Sequence, residues 1–408
     1  MNLLWITTSF PRWPGDWQGH FIAAAARSLA QRGHALHVLC PIAAGVTESI
    51  DWPGIRVRRF RYAPLARWAC LAYGAGILDN LRRRPWLYLL VPFFLRAMAR
   101  AIAEEIESCD LVHAHWAPCG AMAVAACRRR HRPLVVSLRG SDATSPSLWL
   151  RRWVRQVCDT SDAIICANEH IRRLAQNAGA AVEKLHILTG GIDWESFAAL
   201  PAREEARWRL SLPQDGLLVI SVGRLVPLKR HEILLRAISR LPSDVPPPRL
   251  AFVGDGPERG RLRNLAKALA MDDRVHFTGD LPQQTVLLWL RASDIFALAS
   301  AHEGRSNALA EAMAAGLPCL VAPGAESGLL RGAPEPCGLV VEDGEWTSAL
   351  ERLLRDIALR QALGAAARRR AEEAVASWAE HAEELERIYR LCLGQRAGNK
   401  MTEAAKGD

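Results

Sequence analysis

The amino-acid sequence predicts an α/β protein built from two doubly wound, Rossmann-like domains. Short apolar runs alternate with helix-spaced segments from end to end, and one polar, proline-punctuated stretch at 193–215 interrupts the rhythm. The chain has 408 residues, more than one ordinary domain holds.

The elements follow in order. An apolar run at 3–8 leads into helical spacing over 21–31 (Phe21, Ile22, Leu29) that stops at Gly33, and a second run at 35–40 completes a βαβ opening. Runs at 111–115, 134–138, 163–167 and 185–188 extend the first domain. After the polar stretch the rhythm restarts at 217–222, 250–253, 275–277, 295–299, 319–322 and 339–341, and from about Trp346 the pattern is helical to Leu393. The expected division is a first domain over 1–195, a linker over 196–214 and a second domain over 215–375. A terminal helix over 376–393 crosses back to the first domain, and 394–408 is a frayed tail.

Composition narrows the function classes. Half the residues are hydrophobic and 23% are charged, as in globular proteins. The net charge of +9 is unevenly spread: residues 1–200 hold 24 basic against 15 acidic side chains, and 201–408 hold 28 against 28. The first 200 residues also carry 10 of the 14 tryptophans. Ten cysteines without a C-x-x-C pair fit neither a zinc site nor a disulfide framework. Residues 1–10 lack a basic leader and read as a strand. The longest apolar run, 85–95, contains two prolines and falls short of the ~20 residues a membrane span needs. A cytoplasmic protein is expected, with peripheral contact at the inner face of the plasma membrane. The segment 82–96 supplies that contact by pairing a basic cluster with an aromatic-apolar run; it reads equally as a buried helix with arginines at its rim.

The unusual residues fall where strands end, which is where open parallel sheets bind ligands. Gly223-Arg224 follows one strand and Lys229-Arg230 precedes the next helix, a spacing at which two cations can grip a diphosphate and which a plain βα turn with solvated cations would show equally. Gly254-Asp255-Gly256-Pro257 is at least a turn with a helix start. After the run at 295–299, Glu303 and Glu311 lie eight residues apart across a helix start. The backbone N–H groups between them, at about Ser306–Leu309, are placed to receive phosphate oxygens. A carboxylate on either side of a phosphate cradle suits a sugar nucleotide, whereas two solvated glutamates on an amphipathic helix would show the same spacing.

Glu303 and Glu311, in the setting E-G-x-x-N-x-L-x-E-A-M-A and together with V-G-R-L-x-x-x-K and G-D-G-P, resemble retaining glycosyltransferase family 4, the glycosyl transferases group 1. The likeness runs from residue 3 to about 393. It implies the GT-B fold, two Rossmann-like domains facing a central cleft. It also implies that Arg224 and Lys229 bind the donor diphosphate with the amides of Asn307, Ala308 and Leu309. By the same resemblance Glu303 would contact the sugar near its anomeric centre, and Glu311 would bind the ribose beside Gly254. Asp110–Trp116 is similar to the family's H-x-H segment, with His115 the histidine near the transferred sugar. Ser137–Asp142 is similar to a stretch that usually reads H-G-x-D; Arg139 replaces its histidine, and Arg139, Asp142 and Trp17 are acceptor-side candidates. Gly19, in the first βα loop, is a candidate for close approach to the donor phosphate or to the acceptor. Two departures stand out: no Glu aligns with the family's G-G-x-x-E, so Glu326 is given no role, and Arg305 replaces an aromatic or small residue.

The resemblance implies same-face transfer from a nucleotide sugar to a lipid-linked or polysaccharide acceptor, in cell-envelope or exopolysaccharide synthesis. Arg224, Lys229 and the helix N-terminus would take the place of a metal, so neither metal nor cofactor is expected. A GT-B sugar-nucleotide epimerase would share the diphosphate grip but turn over donor without acceptor. A nucleic-acid-binding protein would explain the basic half, but it leaves the glycines and cations at the strand ends unexplained, so no nucleic-acid partner is expected.

Overall fold

The computed structural model describes residues 1–46, 49–74, 76–140, 147–303, 306–325 and 328–404. It forms two compact units, Met1–Gly191 with Trp378–Asp408, and Ile192–Ser377.

In the first unit eight strands form one sheet: β1 (Asn2–Thr7), β2 (Ala35–Pro41), β3 (Ser49–Trp52), β4 (Ile55–Phe60), β5 (Leu111–His115), β6 (Leu134–Leu138), β7 (Ala163–Cys166) and β8 (Leu185–Ile187). Their order is β3-β4-β2-β1-β5-β6-β7-β8, and every pairing is parallel except that of β3 with β4. The central strands are apolar on both faces because helices cover both. The chain changes direction across the sheet between β1 and β5, and there Thr7 pairs in register with His115. The terminal helix Trp378–Ala404 packs beside His20–Gln31, burying Ala382, Leu385, Ile388 and Tyr389 in the same cluster as Trp5 and Ile22.

The second unit is a six-stranded parallel sheet: β9 (Leu218–Val222), β10 (Arg249–Val253), β11 (Val275–Gly279), β12 (Ile295–Leu298), β13 (Cys319–Val321) and β14 (Leu339–Val340), in the order β11-β10-β9-β12-β13-β14. Its switch point lies between β9 and β12, the two strands followed by Gly223-Arg224 and by the Glu303 segment.

Four expectations are corrected. Residues 196–214 are not a linker. They continue into the helices Trp194–Ala198 and Arg203–Arg209 of the second unit, with Phe197, Ala206 and Leu212 in its core. Arg207 is the reason a polar stretch folds here: it is 2% exposed, pairs with Asp294 at 2.7 Å and donates to the carbonyls of Ala292, Pro213 and Gly216. Asp294 in turn accepts from Leu218 N–H at 2.7 Å, tying the segment to the start of β9. Second, the expected tail begins as helix, which continues to Ala404. Third, the sheet also holds β3 and β4, where no apolar run is expected; in β4 arginines stand between Ile55, Val57 and Phe60. Fourth, the apolar run at 85–95 belongs to a continuous helical stretch, Pro85–Ser108, long and apolar enough by length and composition to cross a membrane. Its two prolines sit at helix-start positions, where the missing N–H costs nothing. One third of its apolar window is buried, and Phe94, Met98 and Ile102 pack in the first unit's core.

Candidate active site

In the second unit the backbone forms the site first. Gly254 has φ +132°, and a Cβ there would meet Gly223 O at 2.2 Å; at Gly256 it would meet Leu225 O at 2.4 Å. The turns after β9 and β10 therefore pack main chain against main chain, which gives Gly254 a structural reason to be glycine. Lys229 lies across Gly223, whose added Cβ would sit 3.3 Å from Lys229 Cε.

Lys229 Nζ donates to Glu303 Oε1 at 2.5 Å, with both side chains largely buried. The residues singled out as a diphosphate-binding cation and the anomeric carboxylate thus meet at the switch point. Glu303 is fixed from the other side through its main chain. Its N–H donates to Gly324 O at 2.8 Å, and a Cβ on Gly324 would stand 1.9 Å from Ala301 O. Arg224 is half-buried just beyond β9, and its carbonyl faces His231 Nε2 at 3.3 Å.

The helix Asn307–Ala314 starts at Ser306, whose hydroxyl accepts from Leu309 N–H at 3.2 Å. This corrects the expectation for Leu309: its N–H is taken by the cap and its side chain is buried in the core. Asn307 and Ala308 keep N–H groups without an intrahelical acceptor, because they form the helix's first turn. Glu311 is held by Gln283, whose Nε2 donates to its Oε1 at 2.8 Å. Gln283 is a site residue that sequence reasoning missed, as is Gly324; a glutamine opening a helix carries no sign of its distant partner.

In the first unit, His113 and His115 point from β5 into a buried stack, with ring centroids 4.1 Å apart and Trp5 4.5 Å from His115. Burial, and then the neighbouring His113 and Arg139, hold His115 well below the usual histidine range; burial does the same to His113. Arg139 Nη2 lies 3.0 Å from His115 Nδ1. A guanidinium only donates, so Nδ1 is the acceptor and the imidazole proton sits on Nε2. That Nε2 is buried without a hydrogen-bond partner among the described residues. Arg139 also stacks over Phe21 at 4.8 Å, so the replacement for the family histidine orients His115. His113 is bracketed by Tyr389 Oη at 2.6 Å and Ser137 Oγ at 2.8 Å, which brings the terminal helix to the H-x-H segment. The next residue, Trp116, has φ +108°, a conformation that costs about 1–3 kcal/mol in a non-glycine residue and collects at functional sites.

Gly19 has φ +75°, and a Cβ there would meet Ser9 O at 2.7 Å, so its turn admits no side chain. Trp17 is half-buried, and its carbonyl faces His20 Nδ1 at 2.9 Å. Asp142, Arg305 and Glu326 lie outside the described residues. Among the described residues, no group of three or more His, Cys, Asp or Glu side chains is placed to hold a metal ion.

Residues 18–196 match the model of Glycosyltransferase Family 4, and residues 202–370 match that of Glycosyl transferases group 1. The chain belongs to glycosyltransferase family 4. A D-inositol 3-phosphate glycosyltransferase of Kineococcus radiotolerans is 29% identical over 93% of this chain and 91% of its own. Among solved structures, the sucrose-phosphate synthase of Thermosynechococcus elongatus superposes with a TM-score of 0.79 at 20% identity, over 97% of this chain and 100% of its own. HepE of Anabaena, solved in complex with UDP and glucose, superposes with a TM-score of 0.72 at 19% identity, over 95% and 98%. The family 4 chain is a glycosyltransferase with the GT-B fold.

Proposed function

We propose that this glycosyltransferase moves a sugar, with retention of anomeric configuration and without a metal, from a nucleoside diphosphate donor to a lipid-linked or polysaccharide acceptor. It does so in cell-envelope or exopolysaccharide synthesis, at the cytoplasmic face of a membrane. The Lys229–Glu303 contact at the switch point carries this reading. A diphosphate arriving there draws Lys229 to its oxygens, and Glu303 is released toward the sugar. Arg224 and the amides of Asn307 and Ala308 share the charge that grows on the leaving phosphate, the part a divalent ion plays elsewhere. Glu311, steadied by Gln283, takes the ribose hydroxyls. His115 contributes a neutral Nε2–H, a hydrogen-bond donor to a sugar hydroxyl. It is not the base that activates the acceptor, because its proton-free nitrogen faces Arg139. Uridine is the first nucleoside to test, since HepE binds UDP.

Thermal melting with UDP, GDP and ADP, each beside its monophosphate, tests the donor site. One diphosphate is expected to raise Tm more than its monophosphate at equal concentration. If none does so, the donor assignment is wrong. Proton NMR of the product made in EDTA then reads retention and metal independence together.

A further inference from the structure

Residues 56–100 hold ten arginines, no lysine and one carboxylate, Asp79, a balance of +9 that equals the excess of the whole chain. The structure lays part of this segment along an open groove of about 1350 Å³ between β4 and the helical stretch Pro85–Ser108. Arg56, Arg58, Arg61, Arg96 and Arg100 line it together with Trp68, Trp86, Leu89 and Phe93. Glu104 and Glu105 neutralise Arg58, and Glu104 also pairs with Arg100. Among the described residues no carboxylate pairs with Arg56 or Arg96, both of which are exposed. The apolar lining is also turned outward: Leu89 is 73% exposed, Phe93 63% and Trp86 46%. The same stretch buries Leu87, Leu90 and Phe94, so its helical face is divided between core and groove.

Two chemistries are thus combined in one place. Guanidinium groups present planar forks that suit phosphate oxygens. Large exposed apolar side chains are costly in water and mark a surface that meets an apolar partner. A nucleic acid would use the arginines and leave Leu89 and Phe93 bare. An apolar protein partner would leave the unpaired arginines buried without counter-charge. We infer that this groove binds a phosphate-bearing lipid, the phosphate among the arginines and the alkyl chain along Trp86, Leu89 and Phe93. The inference deepens the lipid-linked acceptor reading above and rests on it for the ligand's role in transfer. Binding itself is measured without donor, so failure of transfer and failure of the groove are separate results.

The probe is dodecyl phosphate below its micellar concentration, titrated calorimetrically into the whole chain. One-to-one binding is expected, weakened about tenfold or more by Arg96→Glu and by Ala97→Trp, which fills the groove. Inorganic phosphate and dodecyl maltoside, each offering one half of the chemistry, should bind far more weakly. Unchanged melting of both variants, and an unchanged shift with nucleotide, show that the fold is intact. Three results overturn the inference: equal binding by the variants, inorganic phosphate binding as tightly as dodecyl phosphate, or binding to phosphatidylglycerol vesicles with none to the soluble lipid. The last would make the segment a bilayer surface and not a site for one lipid.

Discussion

At the ends of β9 and β12 the second unit sets a cation against a carboxylate, Lys229 against Glu303. At the ends of β1 and β5 the first unit sets two buried histidines that remain neutral, with Arg139 fixing the proton of one. The first arrangement is built to be opened by a stronger anion. The second is built to stay as it is, since every rotation of His113 or His115 would lose a packed ring contact or a buried hydrogen bond. In the proposed mode of action the difference separates two tasks of a transferase. Handling a leaving diphosphate needs mobile charge, whereas aligning an uncharged sugar needs a rigid donor.

The sharpest way to break this comparison is Glu303→Gln. If Glu303 serves the anomeric centre, kcat falls by about 10³-fold or more, the scale set by removing a group that stabilises transition-state charge. Lys229 then loses its charged partner, so UDP should bind as tightly as before or more tightly, measured by calorimetry. Weaker UDP binding with little change in turnover would make the pair structural.

Why this pair was legible in the sequence, and other parts were not, has a physical basis. The strands of a sheet covered on both faces are continuous apolar runs, and a parallel sheet places the residues after each strand on one edge; Gly223-Arg224 and Glu303 therefore converge. The motif order and the family resemblance together singled out Lys229 and Glu303, which the structure brings into contact. What stayed hidden depends on partners far along the chain. Gln283 reaches Glu311 across 28 positions, Tyr389 reaches His113 across 276, and Gly324 shows its need for a bare Cα only against Ala301. Arg207 made a folded segment look like a linker, because a buried guanidinium satisfying backbone carbonyls reads in sequence as solvated charge.

Acid should separate the units next. A histidine held below its unfolded value of about 6.5 leaves stability intact above that pH. As the pH falls through it the unfolded chain takes up the proton first, and stability drops by about 1.4 kcal/mol per pH unit for each such group. In the first unit His113 and His115 lie well below this value, and burial lowers His20, His34 and His186 as well. In the second, His231 is pushed down to about 3 and His276 is lowered. Between pH 7 and pH 5 the first unit should therefore lose stability faster. Hydrogen exchange followed separately in β5 and β9, corrected for intrinsic rates, reads the difference. Earlier opening of β9 would reverse the comparison.

The smallest effect tests how far the second unit's rigidity extends. Gln283 touches neither phosphate nor sugar in the proposed mode; it positions Glu311 through one hydrogen bond of 2.8 Å to a charged oxygen. Bonds of that kind contribute about 1.5–3 kcal/mol where they are fully sheltered. Both residues here are only half-buried, so a loss nearer 1 kcal/mol is expected, about a fivefold rise in KM for the donor. If Glu311 serves the ribose and not the reacting bond, kcat should hold in Gln283→Ala, and Gln283→Asn should restore little because its amide is one methylene short. A fall in kcat with KM unchanged would place Glu311 in the chemical step. The second unit would then have two carboxylates working on the sugar, and its likeness to a simple diphosphate clamp would end there.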